Sequence, residues 1–280
     1  MIIGMKENKP KISVITVSYN CVDNIEDTIL SVIHQDYPNI EYLIIDGGSK
    51  DGTIDIIKRY EKSITYWISE PDNGLYDAMN KGIMMATGEW VTMRNCGDVF
   101  AEKGALSKLF DKHIPTDVDF VCAAAYRITD LGYYIAKSRQ MTSLNSGMTV
   151  VHPATFVRLK LHQQRLFDTR FTVCADYNLI YTSVKDGHKI EIRNIPIVVF
   201  PQGGFSSVHW DLGFRQGRII RGYTSITSRV FTELKIVEMK FMRRLRHLLK
   251  KLPFIEKTRN KYIIKKYDIK PLPLPINKFY

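Results

Sequence analysis

Apolar positions in the first hundred residues alternate between two periods. In KISVITVSYN, Lys11 to Asn20, mostly β-branched residues predict a buried strand that runs into a polar turn. Ile25, Ile29 and Ile33 then recur four apart, predicting a helix through NIEDTILSVIHQ with Asp23 and Asn24 as candidate N-caps. The pattern repeats. YLIID, Tyr42 to Asp46, reads as a strand, Thr53 opens a helix through IDIIKRYE, and ITYWISE gives a third strand. LYDAMNKGIMMAT reads as another helix, closed by Gly88, and EWVTM as a strand entering RNCGD. Strands and helices in alternation with short connections predict a doubly wound α/β layer on a mostly parallel, Rossmann-like sheet.

The rhythm changes at DVDFVCAAAYRIT, a longer strand followed by a hairpin at DLGYY and a polar stretch to NSGMTVVHPATF. A helix through ADYNLIYTSVKDG and a strand through KIEIRNIPIVVF follow, ending in the loop PQGGFSS. Residues 1–209 read as one α/β domain, with halves of about 1–115 and 116–209 sharing a sheet. Residues 210–280 read as a basic helical extension.

Charge sharpens that division. Residues 210–280 hold 18 Lys and Arg against 5 Asp and Glu, a net of +13, whereas the whole chain is +11. The basic balance therefore belongs to the tail, and nothing marks the globular part as a nucleic-acid binder. No run approaches the ~18 apolar residues of a membrane span, and MIIGMKENKP lacks the apolar core of a secretory signal, so the expected address is the cytoplasm. Cys21, Cys96, Cys122 and Cys174 are far apart and form no C-x-x-C pair; four reduced thiols are expected.

In an open α/β sheet the ligand crevice lies beyond the carboxyl ends of the strands, where YLIIDGGSKDGT delivers Asp46 into a glycine-rich turn. SYNCVDN, between the first strand and helix, has no glycine, which argues against a dinucleotide site, and no Walker G-x-x-x-x-G-K-[ST] exists. ISVITVSYN, IIDGGSKDGT, DNGLYDAMNKGI and NCGD, in that order, resemble the nucleotide-binding half of the family 2 glycosyltransferases, which have the GT-A fold. HPATF, FDTRFTVCADYNL and FPQGGFSS extend the resemblance to bacterial polysaccharide-building members, over residues 12 to about 207.

The resemblance implies an inverting glycosyltransferase that uses a nucleotide-diphosphate sugar, a UDP-sugar first, and a glycan or lipid-linked acceptor. Ser18 and Tyr19 would end the first strand with an aromatic ring against the donor base. Asp46 would hydrogen-bond base or ribose, although tying down the glycine turn is an alternative role. Asp77 and Lys81 are weaker donor contacts, and at four apart they equally suit a surface salt pair. Asp51 is read as shaping the turn before Thr53. Many relatives carry two adjacent acids where this chain has Asp46 and Gly47, which leaves the base unspecified. Where relatives show D-x-D or paired acids, NCGD retains only Asp98, which implies Mg²⁺ or Mn²⁺ held by one carboxylate together with donor diphosphate. Asp176 in CADYNL would be the general base, with Asp168 in FDTR as runner-up. His152 and His209 are read as structural.

Two other classes stay open. A nucleotidyltransferase would release pyrophosphate from a similar pocket, and an inactive, membrane-attached relative would bind nucleotide without turnover. In the tail, Val230, Leu234, Val237, Phe241, Leu245, Leu248 and Leu252 recur at steps of three and four, with Lys235, Lys240, Arg243, Arg244, Arg246, Lys250 and Lys251 on the opposite arc. Such a helix either packs its stripe on the catalytic domain or lies on an anionic membrane surface through residues 229–252. The second reading places the protein peripherally on the inner face of the plasma membrane.

Overall fold

The computed structural model describes residues 9–140, 147–201, 203–249 and 253–272. The tail positions Lys250, Lys251 and Leu252 lie outside them. The first strand, β1 (Ile12–Ser18), is buried at all seven positions because helices cover both faces of the sheet. Its Ile12 and Val14 enter one core with Ile25, Ile29 and Val32 of α1 (Val22–Ile33), and its Ile15 and Val17 enter the core on the other face. Parallel to β1 run β2 (Ile40–Asp46) on one side and β4 (Trp90–Met93) on the other, with β3 (Tyr66–Ser69) outside β2. The crossovers are α1, α2 (Thr53–Arg59) and α3 (Leu75–Met85).

Beyond β4 come β5 (Val99–Phe100), α4 (Ala105–Leu109), β6 (Val118–Thr129) and its hairpin partner β7 (Gly132–Ala136). They are followed by β8 (Thr155–Arg158), α5 (Leu159–Gln164), α6 (Ala175–Lys185) and β9 (Lys189–Pro201). The sheet order is β3-β2-β1-β4-β8-β6-β9-β5, with β7 on β6. One continuous sheet therefore carries both halves. β8 is the hinge of the topology: it runs antiparallel between β4 and β6. It lies at the end of the polar stretch to HPATF, where no apolar run marks a strand in the sequence.

Three local expectations are corrected. Helix α1 takes no cap from Asp23 or Asn24; Asp51 instead reaches across from the β2 loop to accept the Val22 N–H at 3.0 Å, and Thr53 Oγ1 accepts the Cys21 N–H. Gly88 does not close α3, which ends at Met85; it lies against β1, where an added Cβ would stand 2.8 Å from the Lys11 carbonyl oxygen. Cys21 and Cys96 are joined as a disulfide, so the four reduced thiols reduce to Cys122 and Cys174. The fold brings the first turn of α1 against the loop after β4, a proximity that 75 residues of separation conceal.

Downstream, α7 (Phe205–Val208) and α8 (Trp210–Ile220) lead to α9 (Ile226–Leu249) and α10 (Pro253–Tyr267), after which Lys270 pairs in an antiparallel bridge with Tyr133 of β7. Helix α9 docks by its polar arc. Thr232 and Ile236 are buried, Arg215 of α8 bonds Glu233 at 2.7 Å, and Asp211 takes Lys240 at 3.1 Å. The apolar stripe of Val230, Leu234, Val237, Phe241 and Leu248 faces away, each more than half exposed. Packing of that stripe on the catalytic domain is thus overturned.

Candidate active site

The parallel register sets Ser18, Asp46 and Ser69 side by side at the carboxyl ends of β1, β2 and β3. Asp46 is fully buried and accepts five hydrogen bonds: from Ser18 Oγ (2.8 Å), Ser49 Oγ (2.6 Å), Ser69 Oγ (2.7 Å), Ser49 N (2.8 Å) and Gly48 N (3.1 Å). Burial alone would raise its pKa, but these bonds, led by Ser49, outweigh it and hold the carboxyl below its ordinary value. A carboxylate offers about four lone-pair directions, so this one is filled by the protein itself. The geometry therefore realises the turn-holding role of Asp46. Asp51 likewise holds its turn, accepting from Thr53 N and Thr53 Oγ1.

Tyr19, just past β1, projects its ring into solvent at 65% exposure. A large exposed aromatic ring at a strand mouth is a stacking surface without an intramolecular partner. Asp77 and Lys81 do not pair with each other. Lys81 Nζ bonds Glu70 Oε1 at 2.7 Å and the Pro71 carbonyl at 3.1 Å, while Asp77 accepts the Asn73 N–H at 2.9 Å. Both brace the loop between β3 and α3.

Asp98 follows β4, whose extension hugs β1 through Arg94 N to Ile15 O and Cys96 N to Val17 O. Burial pushes its carboxyl up to about 7, against the pull of the nearby Arg94 guanidinium. Among the described residues no side chain donates a hydrogen bond to it, and no group of three or more His, Cys, Asp or Glu could hold a metal ion. A desolvated carboxylate lacking such donors gains from a cation, so Asp98 fits a divalent ion as one ligand, the remaining oxygens coming from a bound diphosphate and water. Arg94, which sequence reasoning passed over, is wholly buried. It stacks its guanidinium 4.1 Å from the Phe100 ring centroid and donates Nη1 to the carbonyls of Met93 and Pro153, while Nε and Nη2 have no hydrogen-bond partner among the described residues. A single basic residue after a hydrophobic strand carries no signal that it will point inward.

Asp176 sits in the first turn of α6. Its Oδ1 accepts the Tyr76 hydroxyl at 3.1 Å and the Tyr177 N–H at 2.8 Å; its Oδ2 lies 3.9 Å from His152 Nδ1. One oxygen thus accepts two hydrogen bonds, and the other has the His152 ring at 3.9 Å, with the carboxyl side chain 20% exposed. His152, read as structural, is brought to the base, and burial holds its pKa below the ordinary histidine value. Tyr76 belongs to α3, so the helix following the donor loop also positions the candidate base. Asp168 is held by Arg170 through both oxygens, at 2.9 and 2.7 Å, and lies apart from this cluster of contacts. His209 stacks on Phe205.

The family description "Glycosyl transferase family 2" matches residues 13–184. TuaG of Bacillus subtilis, named as a putative teichuronic acid biosynthesis glycosyltransferase, is 43% identical over 93 residues, 32% of this chain and 37% of TuaG. A PGL/p-HBAD biosynthesis glycosyltransferase of Mycobacterium bovis is 29% identical over 115 residues, 39% of this chain and 45% of that protein. The matched segment thus spans less than half of these relatives. Among solved structures, S. aureus TarS 1-349 in complex with UDP superposes with a TM-score of 0.58 at 17% identity, covering 75% of this chain and 65% of that one. The mannosyltransferase PcManGT of Pyrobaculum calidifontis, in complex with GDP-Man and Mn²⁺, does so with 0.59 at 15% identity, covering 92% and 86%. With a family match over more than half its length, on a sheet shared with a solved mannosyltransferase, the chain has the GT-A fold and belongs to glycosyl transferase family 2.

Proposed function

We propose that this protein is an inverting glycosyltransferase that moves a sugar from a nucleoside-diphosphate sugar to a hydroxyl of a glycan or lipid-linked acceptor in surface-polysaccharide assembly. The observation that carries the reading is the placement, at the carboxyl edge of one sheet, of an exposed ring (Tyr19), an acid without side-chain donors (Asp98) and an acid with one oxygen held by Tyr76 and the other beside His152 (Asp176). Inversion needs a base on the acceptor side. Asp176 Oδ2 takes the proton of the acceptor hydroxyl as that oxygen attacks the anomeric carbon, while the bond from that carbon to the diphosphate breaks and its electron pair leaves with the nucleoside diphosphate. Tyr76 keeps Oδ1 occupied, so the proton goes to Oδ2.

Ser18 and Asp46 contribute by fixing the loop beneath the base, and Tyr19 by stacking on it. Asp77 and Lys81 keep the β3–α3 loop in place beside the donor. Asp98 would hold Mg²⁺ or Mn²⁺, which supplies compensation for charge on the departing diphosphate. The TarS complexes hold UDP and UDP-GlcNAc, which favours UDP-sugars for this chain as well.

Among the described residues no helix is long and apolar enough to cross a membrane. The outward stripe of α9 supports peripheral attachment instead, because its apolar surface is unpartnered and residues 210–280 carry net +13. An anionic leaflet is the complementary surface, and a lipid-linked acceptor lies at that leaflet.

The test is product analysis over a panel of nucleotide sugars with Mg²⁺ and Mn²⁺. Release of nucleoside diphosphate in step with glycosylated acceptor supports transfer. Pyrophosphate release means a nucleotidyltransferase, and nucleotide binding with no turnover means an inactive relative.

A further inference from the structure

Residue 47 is glycine, so the end of β2 sends no side chain towards Tyr19. That space is filled from another element. A Cβ placed on Gly47 would stand 2.5 Å from Asp72 Oδ2 and 3.3 Å from its Cγ, and 3.2 Å from Tyr19 Cδ2. The Asp72 carboxylate thus reaches over from the β3–α3 loop to the position where a side chain of residue 47 would begin, beside the exposed ring. It is aimed as well as placed. Oδ1 accepts the Gly74 N–H at 2.8 Å, and no hydrogen bond or ion pair among the described residues engages Oδ2. The loop is anchored by Lys81 on Glu70 and Pro71, and a Cβ placed on Gly48 would stand 3.5 Å from Pro71 N.

The geometry points to Asp72 as the residue that reads the donor base: its Oδ2 accepts the ring N–H of a uracil or guanine stacked on Tyr19, in place of the side chain that Gly47 lacks. The inference rests on the proposed nucleotide-sugar site and specifies its base. An ionised carboxylate only accepts hydrogen bonds. Uracil N3 and guanine N1 carry a hydrogen to give, whereas cytosine N3 and adenine N1 present lone pairs that would face the lone pairs of Oδ2. A site built around a hydrogen bond rejects a ligand lacking the complementary group far more strongly than a shape-fitting pocket does. Asp46 cannot supply this acceptor, since its five bonds exhaust it.

The experiment is calorimetric titration of the full chain with UDP, GDP, CDP and ADP, in Mn²⁺, for the natural protein and two variants. Asp72→Asn keeps the oxygen that accepts from Gly74 and offers N–H groups where Oδ2 stood. Gly47→Ala drives a methyl into the Asp72 carboxylate and displaces it while retaining its charge. The natural protein is expected to bind UDP or GDP roughly tenfold or more tighter than CDP and ADP. Asp72→Asn is expected to lose at least about tenfold of that affinity and to narrow or reverse the preference over CDP, at an unchanged melting temperature. Gly47→Ala is expected to weaken the same nucleotides. A preference that survives intact in Asp72→Asn, or equal binding of all four by the natural protein, overturns the role of Asp72 while leaving the glycosyltransferase reading standing. Failure of the natural protein to bind any of the four overturns both.

Discussion

Asp176 and Asp46 are carboxylates on the same edge of the sheet, and their hydrogen bonds give them different work. Asp176 has one oxygen that accepts no hydrogen bond among the described residues, so Asp176→Asn should lower transfer by ~10² to 10⁴ with donor affinity preserved and stability within about 1 kcal/mol of the parent. Near-normal transfer by the folded variant would return Asp176 to a helix-capping role. Asp46 has no free oxygen. Replacing it with Asn puts an NH₂ group against donors that need an acceptor, and stability should fall by about 1–3 kcal/mol in urea denaturation. Gly82 shows packing overruling propensity: alanine is favoured over glycine within a helix by about 1 kcal/mol, yet a Cβ there would stand 2.6 Å from Ile15 Cγ2 and 3.2 Å from Ile45 Cγ1. Gly82→Ala should therefore destabilise the protein, and a raised melting temperature would contradict the close approach of α3 to the sheet. The aspartates were legible as candidates in the sequence. Their division of labour was not, because Ser18, Ser49 and Ser69 reach Asp46 from three separate segments.

At the scale of the element, α9 bears on two readings that its sequence left open. Its period of three and four was readable, but a stripe identifies a face and not what covers that face. Thr232, Ile236 and Lys240, unremarkable in sequence, are the side that meets α8, and so the apolar residues turn outward. The membrane reading predicts that the full chain co-sediments with vesicles containing anionic lipid, with binding weakened by salt. Leu234→Glu combined with Phe241→Glu alters two exposed positions and should abolish binding without lowering the melting temperature. Vesicle binding that survives this substitution, or its absence at low salt in the natural protein, would reject the stripe as the docking surface.

For the whole molecule, buried titratable groups couple stability to pH. His162 is 1% exposed, and burial pushes its pKa down to about 4 from 6.5. The unfolded chain takes up this proton first as pH falls, so the stability present above pH 6.5 is lost on the way to pH 4, by up to about 3 kcal/mol. Glu41 acts with the same sign at lower pH. Burial would raise its pKa, but bonds from Lys11, Ser13 and Thr87 bring it to about 2, so its contribution is present above about 4.5 and lost towards pH 2. Asp98, raised to about 7, acts with the opposite sign between pH 7 and 3.8, so the His162 loss is read in urea titrations as the difference between the natural protein and His162→Gln, and the Glu41 loss below pH 4.5. His162→Gln should flatten only the segment between 6.5 and 4, and an unchanged slope there would remove His162 as its source.

The alternation of β1 to β4 with their crossover helices along the chain was determined by local sequence, since short apolar runs alternating with four-residue periods predict a parallel sheet covered on both faces. The motif order from Tyr19 to Asp176 likewise marked one edge of that sheet as the site. What only the tertiary structure decided are relations between segments distant along the chain. These are the antiparallel insertion of β8, the Cys21–Cys96 disulfide, the burial of Arg94 beside Phe100, the approach of His152 to Asp176, and the presence of the Asp72 carboxylate where Gly47 has no side chain. Periodicity reports which face of an element is apolar, a property of neighbours in sequence. Which group fills which space depends on strand order and crossover geometry, and those emerge only once the whole sheet has formed.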